Sequence, residues 1–408
     1  MKESPHNLTP EAFAELLCSE RFGPELGRVG CKFVSNMLVG IQRTRSVNLT
    51  EVAKGLNENI RLHATHKRLS RNLDDPALAL NLADRLLALG AAGVKTDTRL
   101  IVHLYELNKK YARKVEYLPE AGVDSEAGFK VCEIIASDAD SETYMPLIAS
   151  VWSKEVPGFI SDVEEVKKTI QRVLQATGNK GMMYFDDQSM DSDFLLRILD
   201  EPNFNFISML RDSDAEVIYR NDTRPIQSLM DSVETPYGRT MFKLVPEGAY
   251  ATSKTTDLDI FLHAGALAIK MPNSSRNFRL IALKSKNRFA GEIAAPLLTT
   301  ETNLRSRKAL MGLVESFLSI HDVLTAHQSL RDSFDPSSFR VLTYNRLQLL
   351  MTLLQGVMHY EVAMARSVAV NEHQFMLKPH GGDVNRTYIH PELQGAQQSN
   401  VRQASNDA

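Results

Sequence analysis

Cysteine is scarce in this chain, which has only Cys18, Cys31 and Cys132 among its 408 residues. The three are far apart and form no CxxC pair, so the sequence offers neither a disulfide framework nor a cysteine-based zinc site. Isolated cysteines of this kind are typical of reduced thiols in a cytoplasm. We therefore expect a cytoplasmic protein.

Long apolar runs and a strong net charge are also lacking. No apolar stretch reaches the roughly 20 residues that a membrane-spanning helix needs. The first residues, MKESPHNLTPEAF, lack the apolar centre of a secretion signal. The formal net charge is −3, so any contact with DNA requires local basic faces and not a polycationic molecule. We expect no membrane association.

The remaining composition is that of an ordinary globular protein. Hydrophobic residues make up 43% and charged residues 24% of the chain, which is sufficient for a large core divided over two or three domains. Helix-start signals occur at Thr9-Pro10-Glu11, at Asn48 and at Asp75-Pro76, where a capping side chain precedes an apolar pattern. The first 95 residues are therefore predicted to be helical.

A basic stretch lies within this helical region. Arg61, Lys67, Arg68 and Arg71 occur with no acidic residue between Arg61 and Asn72. A solvated helix face explains such a pattern. A DNA-facing helix that follows the short helix NLTEVAKGL, as in helix-turn-helix modules, explains it as well.

From Lys95 onward, apolar runs rich in β-branched residues predict strands. The predicted strands and the helix among them are Leu100–Leu107, Gly128–Ile135, Pro146–Val151, Val163–Ala176 (the helix), Gly181–Phe185 and Phe204–Leu210. Strand-like runs continue to about Thr300. A long helix is then predicted from Ser306 until Pro336 ends it, followed by an apolar helix from Leu347 to about Ser367.

The stretch Ser306–Arg346 reads SRKALMGLVESFLSIHDVLTAHQSLRDSFDPSSFRVLTYNR. It resembles the last catalytic helix of DDE transposases of the insertion sequence four family, which read approximately SRKxLxxxVxAYLxRWxVEETIRFIKQxYxLEDxRVLTYxRL. The alignment has no gap, and the motifs at Ser306–Lys308 and Arg340–Leu347 match residue for residue. The segments SVNLTEVAKGL, KRLSRNL, NKKYA and SDADSETYMPL resemble the same family.

The resemblance implies an α/β fold with a ribonuclease-H-like core and a β-rich insertion, preceded by a helical DNA-binding domain. The implied divisions are a DNA-binding domain at 1–95, the first part of the core at 96–204, the insertion at 205–300, the catalytic-type and C-terminal helices at 301–370, and a tail at 371–408. The polar composition of this tail predicts disorder. A bacterial cytoplasmic protein is implied, nucleoid-associated if it binds DNA, and a homodimer is one expected assembly.

The same alignment locates the positions of the three family carboxylates. The first aspartate falls on His103, and the glutamate falls on Leu324. The second aspartate falls on Asp187 or Asp186, depending on a one-residue shift, and Asp187 is preferred because that register also matches the second aspartate of the motif at Asp191. The resemblance therefore leaves one carboxylate of three.

Other family positions are changed as well. The tyrosine and arginine that contact phosphate in the family fall on Phe317 and Ile320, whereas Arg331 keeps the charge of the family lysine. The aspartate after the first catalytic one falls on Glu106, three positions from His103, which on a strand is the opposite face. His321 and His327 share the helix face of Leu324, but solitary histidines are more often packed than bound to metal.

DDE enzymes use three carboxylates to hold two divalent ions. Imidazole is a poor magnesium ligand, and a leucine side chain cannot coordinate a metal ion at all. The resemblance therefore implies a transposase-derived DNA-binding protein that has lost cleavage and binds no cofactor or metal. The expected DNA-contacting residues are Arg61, Lys67, Arg68, Arg71, Lys109, Lys110 and Arg331.

Two alternatives stay open on the sequence. The first is an active transposase that uses Mg²⁺ with recruited carboxylates such as Asp124, Glu126 or Asp191. The second is a protein-interaction or assembly role, in which DNA contact is incidental.

Overall fold

The computed structural model describes residues 9–23, 26–108, 114–119, 128–138, 143–186, 188–200, 203–210, 215–244, 258–272, 274–287 and 291–372. Within these ranges the chain forms two compact units, the first from 9–181 and 323–372 and the second from 182–322. Several residues to which the sequence assigns a role lie outside the described residues, namely Lys109, Lys110, Asp124, Glu126, Asp187 and the tail from 373 onward.

Over the described residues, the chain begins with five α-helices, continues with a region made mostly of strands, and ends with three α-helices. The helices are α1 (Pro10–Cys18), α2 (Gly27–Thr44), α3 (Leu49–Gly55), α4 (Leu62–Asn72), α5 (Pro76–Ala91), α6 (Asp162–Thr177), α7 (Ser192–Leu199), α8 (Ile226–Ser232), α9 (Arg307–Leu318), α10 (Ile320–Asp332) and α11 (Tyr344–Glu372). The strands are β1 (Arg99–Asn108), β2 (Gly128–Ser137), β3 (Tyr144–Trp152), β4 (Met182–Phe185), β5 (Phe206–Met209), β6 (Glu216–Tyr219), β7 (Asp222–Pro225), β8 (Tyr237–Leu244), β9 (Leu258–Ile269), β10 (Phe278–Asn287) and β11 (Gly291–Thr299).

The predicted helix starts are confirmed by their capping bonds. The side chains of Thr9, Asn48 and Asp75 each accept a hydrogen bond from a backbone N–H in the first turn of α1, α3 and α5. Ser306 caps α9 in the same way. Each bond satisfies one of the donors that the start of a helix leaves unpaired.

The first unit places helices around an antiparallel meander. Strands lie in the order β3-β2-β1, and β1 pairs with β2 without a break from Arg99↔Ser137 to Asn108↔Gly128. Helices α5, α6 and α11 pack against β3. Apolar residues of the helices and of all three strands form one buried cluster, so the helical region shares its core with this meander.

The second unit contains a mixed sheet in the order β4-β5-β11-β10-β9-β8. β4 and β5 are parallel, whereas the other pairs are antiparallel. Strands β6 and β7 form a separate hairpin. The sequence patterns do not predict α7, α8 or β11. In β11 the reason is Pro296, which pairs opposite Ala282 inside the sheet although proline normally argues against an interior strand.

The long helix predicted after Ser306 is interrupted at Ser319, between α9 and α10. The hydroxyl of Ser319 donates to the backbone oxygen of Ser316 at 3.1 Å, a local bond of the kind that competes with regular helix. The stretch Arg307–Ser338 has a window of mean hydropathy 1.3, so by length and composition it could cross a membrane. Half of that window is buried inside the protein, as in a core helix. The expectation that no segment is long and apolar enough to span a membrane is nevertheless wrong.

Candidate functional site

Glu133 is the centre of a buried polar cluster in the first unit. It lies in the middle of β2, directly opposite His103 of β1, and only 5% of it is exposed. Residues of α10 cover it from the other side. A carboxylate in such a position is stable only when its oxygens are paired.

Both carboxylate oxygens of Glu133 are engaged. The hydroxyl of Tyr105 donates to Oε1 at 3.1 Å. His327 Nε2 lies 2.9 Å from Oε2, and Arg331 Nη1 donates to the same oxygen at 3.2 Å. The Arg331 guanidinium also stacks over the Tyr105 ring, 3.7 Å from its centroid. The cluster therefore joins strands β1 and β2 to helix α10.

The environment of Glu133 favours its ionised form. Burial acts to raise the pKa of its carboxyl group, but the charge and hydrogen bond of His327, together with the charges of Arg331 and His103, outweigh burial and lower the pKa to about 2. The carboxylate consequently stays charged inside the fold at every physiological pH.

This lowered pKa predicts acid sensitivity with a defined sign. Between the ordinary glutamate pKa of about 4.3 and about 2, the unfolded chain binds a proton at Glu133 that the folded chain does not. The stabilisation from Glu133 is therefore complete above about pH 4.5 and is lost as the pH falls toward 2. We expect the stability difference between the wild type and Glu133→Gln, measured by urea unfolding at pH 6, 4 and 3, to shrink with each step. A difference that is constant with pH would contradict the assignment.

Two of the three aligned catalytic positions, His103 and Leu324, lie on β1 and α10, which contact each other through Gln328. His103 Nε2 lies 3.1 Å from Gln328 Nε2, and Leu324 lies one helical turn before Gln328. His103 is 6% exposed and Leu324 is 4% exposed. Neither side chain is a carboxylate.

The donor set at this junction does not fit a magnesium ion. Leu324 has no donor atom, the Nε2 atom of the His103 imidazole contacts Gln328, and both oxygens of Glu133 are already engaged. Among the described residues no three His, Cys, Asp or Glu side chains are grouped to hold a metal ion. The junction is therefore a packed polar contact between a strand and a helix.

The region of the second predicted carboxylate lies in the second unit. Asp186 is buried, and its Oδ1 accepts a hydrogen bond from the backbone N–H of Gln188 at 3.1 Å, while Asp187 lies outside the described residues. Gln188 Nε2 in turn lies 3.2 Å from His321 Nδ1. Asp191 caps α7 by accepting from Phe194 N at 2.7 Å. These bonds give Asp186 and Asp191 structural roles at the end of β4.

Helix α4 presents a basic face. Thr65 and Leu69 are its buried residues, whereas Lys67 and Arg71 are exposed. At 100° per residue, Lys67 and Arg71 point about 200° away from Thr65 and Leu69, on the opposite side of the helix. Arg61 is exposed at the start of α4. Among the described residues, none of these three cations forms an ion pair.

Arg68 differs from its neighbours because it is paired. Its Nη2 donates to both oxygens of Glu58 at 2.8 Å, and Glu58 also accepts from the Thr65 hydroxyl at 2.7 Å. Although desolvation acts to raise the pKa of Glu58, these bonds and the charge of Arg68 lower it. Arg68 thus fixes the connection between α3 and α4, and its charge is locally balanced.

The predicted site residues therefore fall into separate groups. Arg61, Lys67 and Arg71 lie together on the surface, whereas Arg331 is only 7% exposed and is held by Glu133 and Tyr105. Glu133 itself was not among the residues predicted from sequence. A signal for it exists, because it is an acidic residue within the apolar run VCEII of the strand GFKVCEII.

Comparisons with known proteins add little to this geometry. No known family profile matches the chain, and no curated protein matches it by sequence. A cryo-EM structure of the piggyBac transposase synaptic complex with hairpin DNA is similar to it with a TM-score of 0.42 and 10% identity, over 96% of this chain and 75% of that chain. A likeness of this size carries no functional argument.

Proposed function

We propose that this protein binds DNA through helix α4 and does not cleave it. The observation that carries the proposal is the exposed face of α4, where Lys67 and Arg71 lie on the side opposite the buried residues. The resemblance of SVNLTEVAKGL and KRLSRNL to the DNA-binding region of insertion sequence four transposases supports the same role.

The geometry of α4 suits a nucleic-acid backbone or groove. Its 11 residues span about 16 Å, and Lys67 and Arg71 are about 6 Å apart on one face. The first turn contains no acidic residue, so the positive end of the helix dipole adds to Arg61. Because the net charge of the chain is −3, such a local face favours selective binding over indiscriminate attraction.

The absence of cleavage in the proposal rests on the junction of β1 and α10. Leu324 is aliphatic, and the buried carboxylate opposite His103, that of Glu133, is already engaged by His327 and Arg331. The family scaffold, with a ribonuclease-H-like core, is part of the proposal. It is supported by the meander β1–β3 followed by α6, and by the parallel pair of β4 and β5.

The test starts from DNA recovered with the tagged full chain from its own cells, sequenced to define the enriched sites. On a duplex carrying such a site, we expect Lys67→Ala/Arg71→Ala to weaken binding at least tenfold, because two charge-assisted phosphate contacts are lost. The slope of log K against log salt should fall by about 1.8, from about 0.9 per phosphate contact.

The matched control is Arg43→Ala/Lys168→Ala, which removes the same charge from exposed sites paired with Glu11 and Glu165. It should bind within about twofold of the wild type. Equal losses in both double variants would reduce the effect to net charge and overturn the role of α4. The absence of any enriched DNA would favour an assembly role. Cleavage of the bound duplex in the presence of Mg²⁺ or Mn²⁺ would overturn the proposal that the protein does not cleave DNA.

A further inference from the structure

A basic cleft of the second unit has no role in the proposed function. It has a volume of about 680 Å³ and lies between the hairpin of β6 and β7, the segment before β8, the middle of β9 and the start of α9. Arg220, Arg279 and Arg305 line it, and among its described wall residues the only carboxylate is Glu234. Pockets of about 300–1,000 Å³ are the size that holds small organic ligands.

The three arginines carry more charge than the cleft walls balance. Within the described ranges none of them forms an ion pair with a carboxylate, although Arg220 stacks over the Tyr219 ring at 5.0 Å. Together with Glu234 they give the described walls a formal charge of about +2. Guanidinium groups present planar pairs of N–H donors that match phosphate oxygens. A cleft of this charge favours an anion with several oxygens.

The walls of the cleft are fixed by specific contacts. Gly265 of β9 lies so close to the backbone oxygen of Glu234 that a Cβ atom would be 1.8 Å from it. The Tyr237 hydroxyl donates to Arg305 O at 3.0 Å, and Arg307 Nη2 donates to Gly238 O at 2.8 Å. Glu234 is thereby held against β9, and the start of β8 is tied to Arg305 and to the first residue of α9, so the cleft exists without a ligand.

The hairpin turn at the rim carries backbone strain. Arg220 and Asn221 have φ angles of 52° and 70°, and they connect the paired residues Tyr219 and Asp222. A two-residue turn of this kind prefers Asn-Gly, so an arginine at its first position is unfavourable. Strain that persists in a fold is concentrated at functional positions, and in this hairpin it places a guanidinium at the cleft.

We propose that this cleft binds a nucleoside phosphate, with Arg220, Arg279 and Arg305 holding the phosphate oxygens. Tyr219 and Tyr237 supply aromatic surface for the base, and Glu234 can accept a hydrogen bond from a ribose hydroxyl or a base amine. The ligand is either a free nucleotide or the phosphorylated end of a strand, which share this chemistry. The inference is independent of DNA binding by α4, because the cleft lies wholly in the second unit.

The test is calorimetric titration of the full chain with ATP, with adenosine and with a 5′-phosphorylated trinucleotide. We expect adenosine to bind at least tenfold more weakly than the better phosphorylated ligand, since a charge-assisted hydrogen bond contributes tenfold or more. Tighter binding of ATP would identify a free nucleotide, and tighter binding of the trinucleotide would identify a strand end. If neither ATP nor the trinucleotide binds at millimolar concentration, the proposed site is wrong. It is also wrong if adenosine binds as tightly as the phosphorylated ligands.

Variants separate the arginines from general charge. Arg305→Gln, at an exposed position, and Arg279→Gln should each weaken binding about tenfold or more. Arg224→Gln removes an exposed arginine of β7 that pairs with Asp222 and does not line the cleft, so its affinity should match the wild type. Unchanged affinity in Arg305→Gln and Arg279→Gln would overturn the proposal. This outcome is independent of whether α4 binds DNA.

Discussion

Replacing Glu133 with glutamine is expected to lower the free energy of unfolding by about 3–5 kcal/mol, the cost of breaking a buried ion pair by removing one partner. The side chain keeps its shape, but the guanidinium of Arg331, 7% exposed, loses the carboxylate at 3.2 Å. His327 loses its ionised acceptor at the same time. The second carboxylate near Arg331, that of Asp332 at 3.3 Å, is largely exposed and therefore compensates little. Urea unfolding followed by far-UV circular dichroism at pH 7 measures the change by linear extrapolation.

Glu106→Gln is the matched control for this experiment. Glu106 lies on the same strand as Tyr105 and is exposed, so the same chemical change should alter stability by less than about 0.5 kcal/mol. A second control is the pair Glu133→Gln and Arg331→Met, because a double variant that removes both charges should lose less stability than the sum of the single variants. Additive losses, or a loss below about 1 kcal/mol for Glu133→Gln, would show that the cluster is not coupled as the distances indicate.

The Glu133 cluster shows where prediction from the sequence ends. The strand GFKVCEII and the helical spacing of His327 and Arg331 are visible as local patterns. β2 forms as predicted, and α10 is the second part of the predicted long helix. The contact between β2 and α10 cannot be predicted from the sequence, because 194 residues separate Glu133 from His327. An acidic residue in an apolar strand indicates a buried partner but does not identify it.

The basic residues illustrate the same limit on a smaller scale. Arg68 and Arg71 are equivalent in the sequence, yet Arg68 is neutralised by Glu58, and Arg71 is exposed without such a pair among the described residues. The pairing depends on how the connection after α3 folds back toward α4, which no local periodicity specifies. The arginines of the basic cleft are still less predictable, because Arg220, Arg279 and Arg305 come from a hairpin turn, a strand and a loop.

Helix caps were predictable for the opposite reason. A cap needs only a polar side chain and the backbone two or three residues further along the chain, as at Asn48 and Asp75. The strand β11 escaped prediction because Pro296 and the alanines before it have poor strand propensity, and pairing with β10 and β5 overrides that preference. Local chemistry thus accounts for element starts, whereas neighbouring strands decide which weak segments become strands.

Introducing a carboxylate at position 324 is expected to destabilise the protein and not to create a metal site. Leu324 is 4% exposed, and a buried glutamate without a cation partner has its pKa raised by several units. At about 1.36 kcal/mol per unit, Leu324→Glu should lose about 3–5 kcal/mol of stability at pH 7. Leu324→Met should lose less than about 1.5 kcal/mol because it conserves volume.

Comparing Leu324→Glu with Leu324→Gln separates the effect of the new charge from the effect of a polar side chain. Adding Mn²⁺ tests whether Leu324→Glu creates a metal site. If the junction of β1 and α10 is filled, as the His103–Gln328 contact and the Glu133 cluster indicate, millimolar Mn²⁺ should change the melting temperatures of Leu324→Glu and Leu324→Gln equally. A selective rise for Leu324→Glu, enhanced by His103→Asp in the same chain, would mean that the scaffold still converges carboxylates on a metal. In that case the proposed absence of cleavage would rest on side-chain identity alone, and the Glu133 cluster would be no obstacle to a metal site.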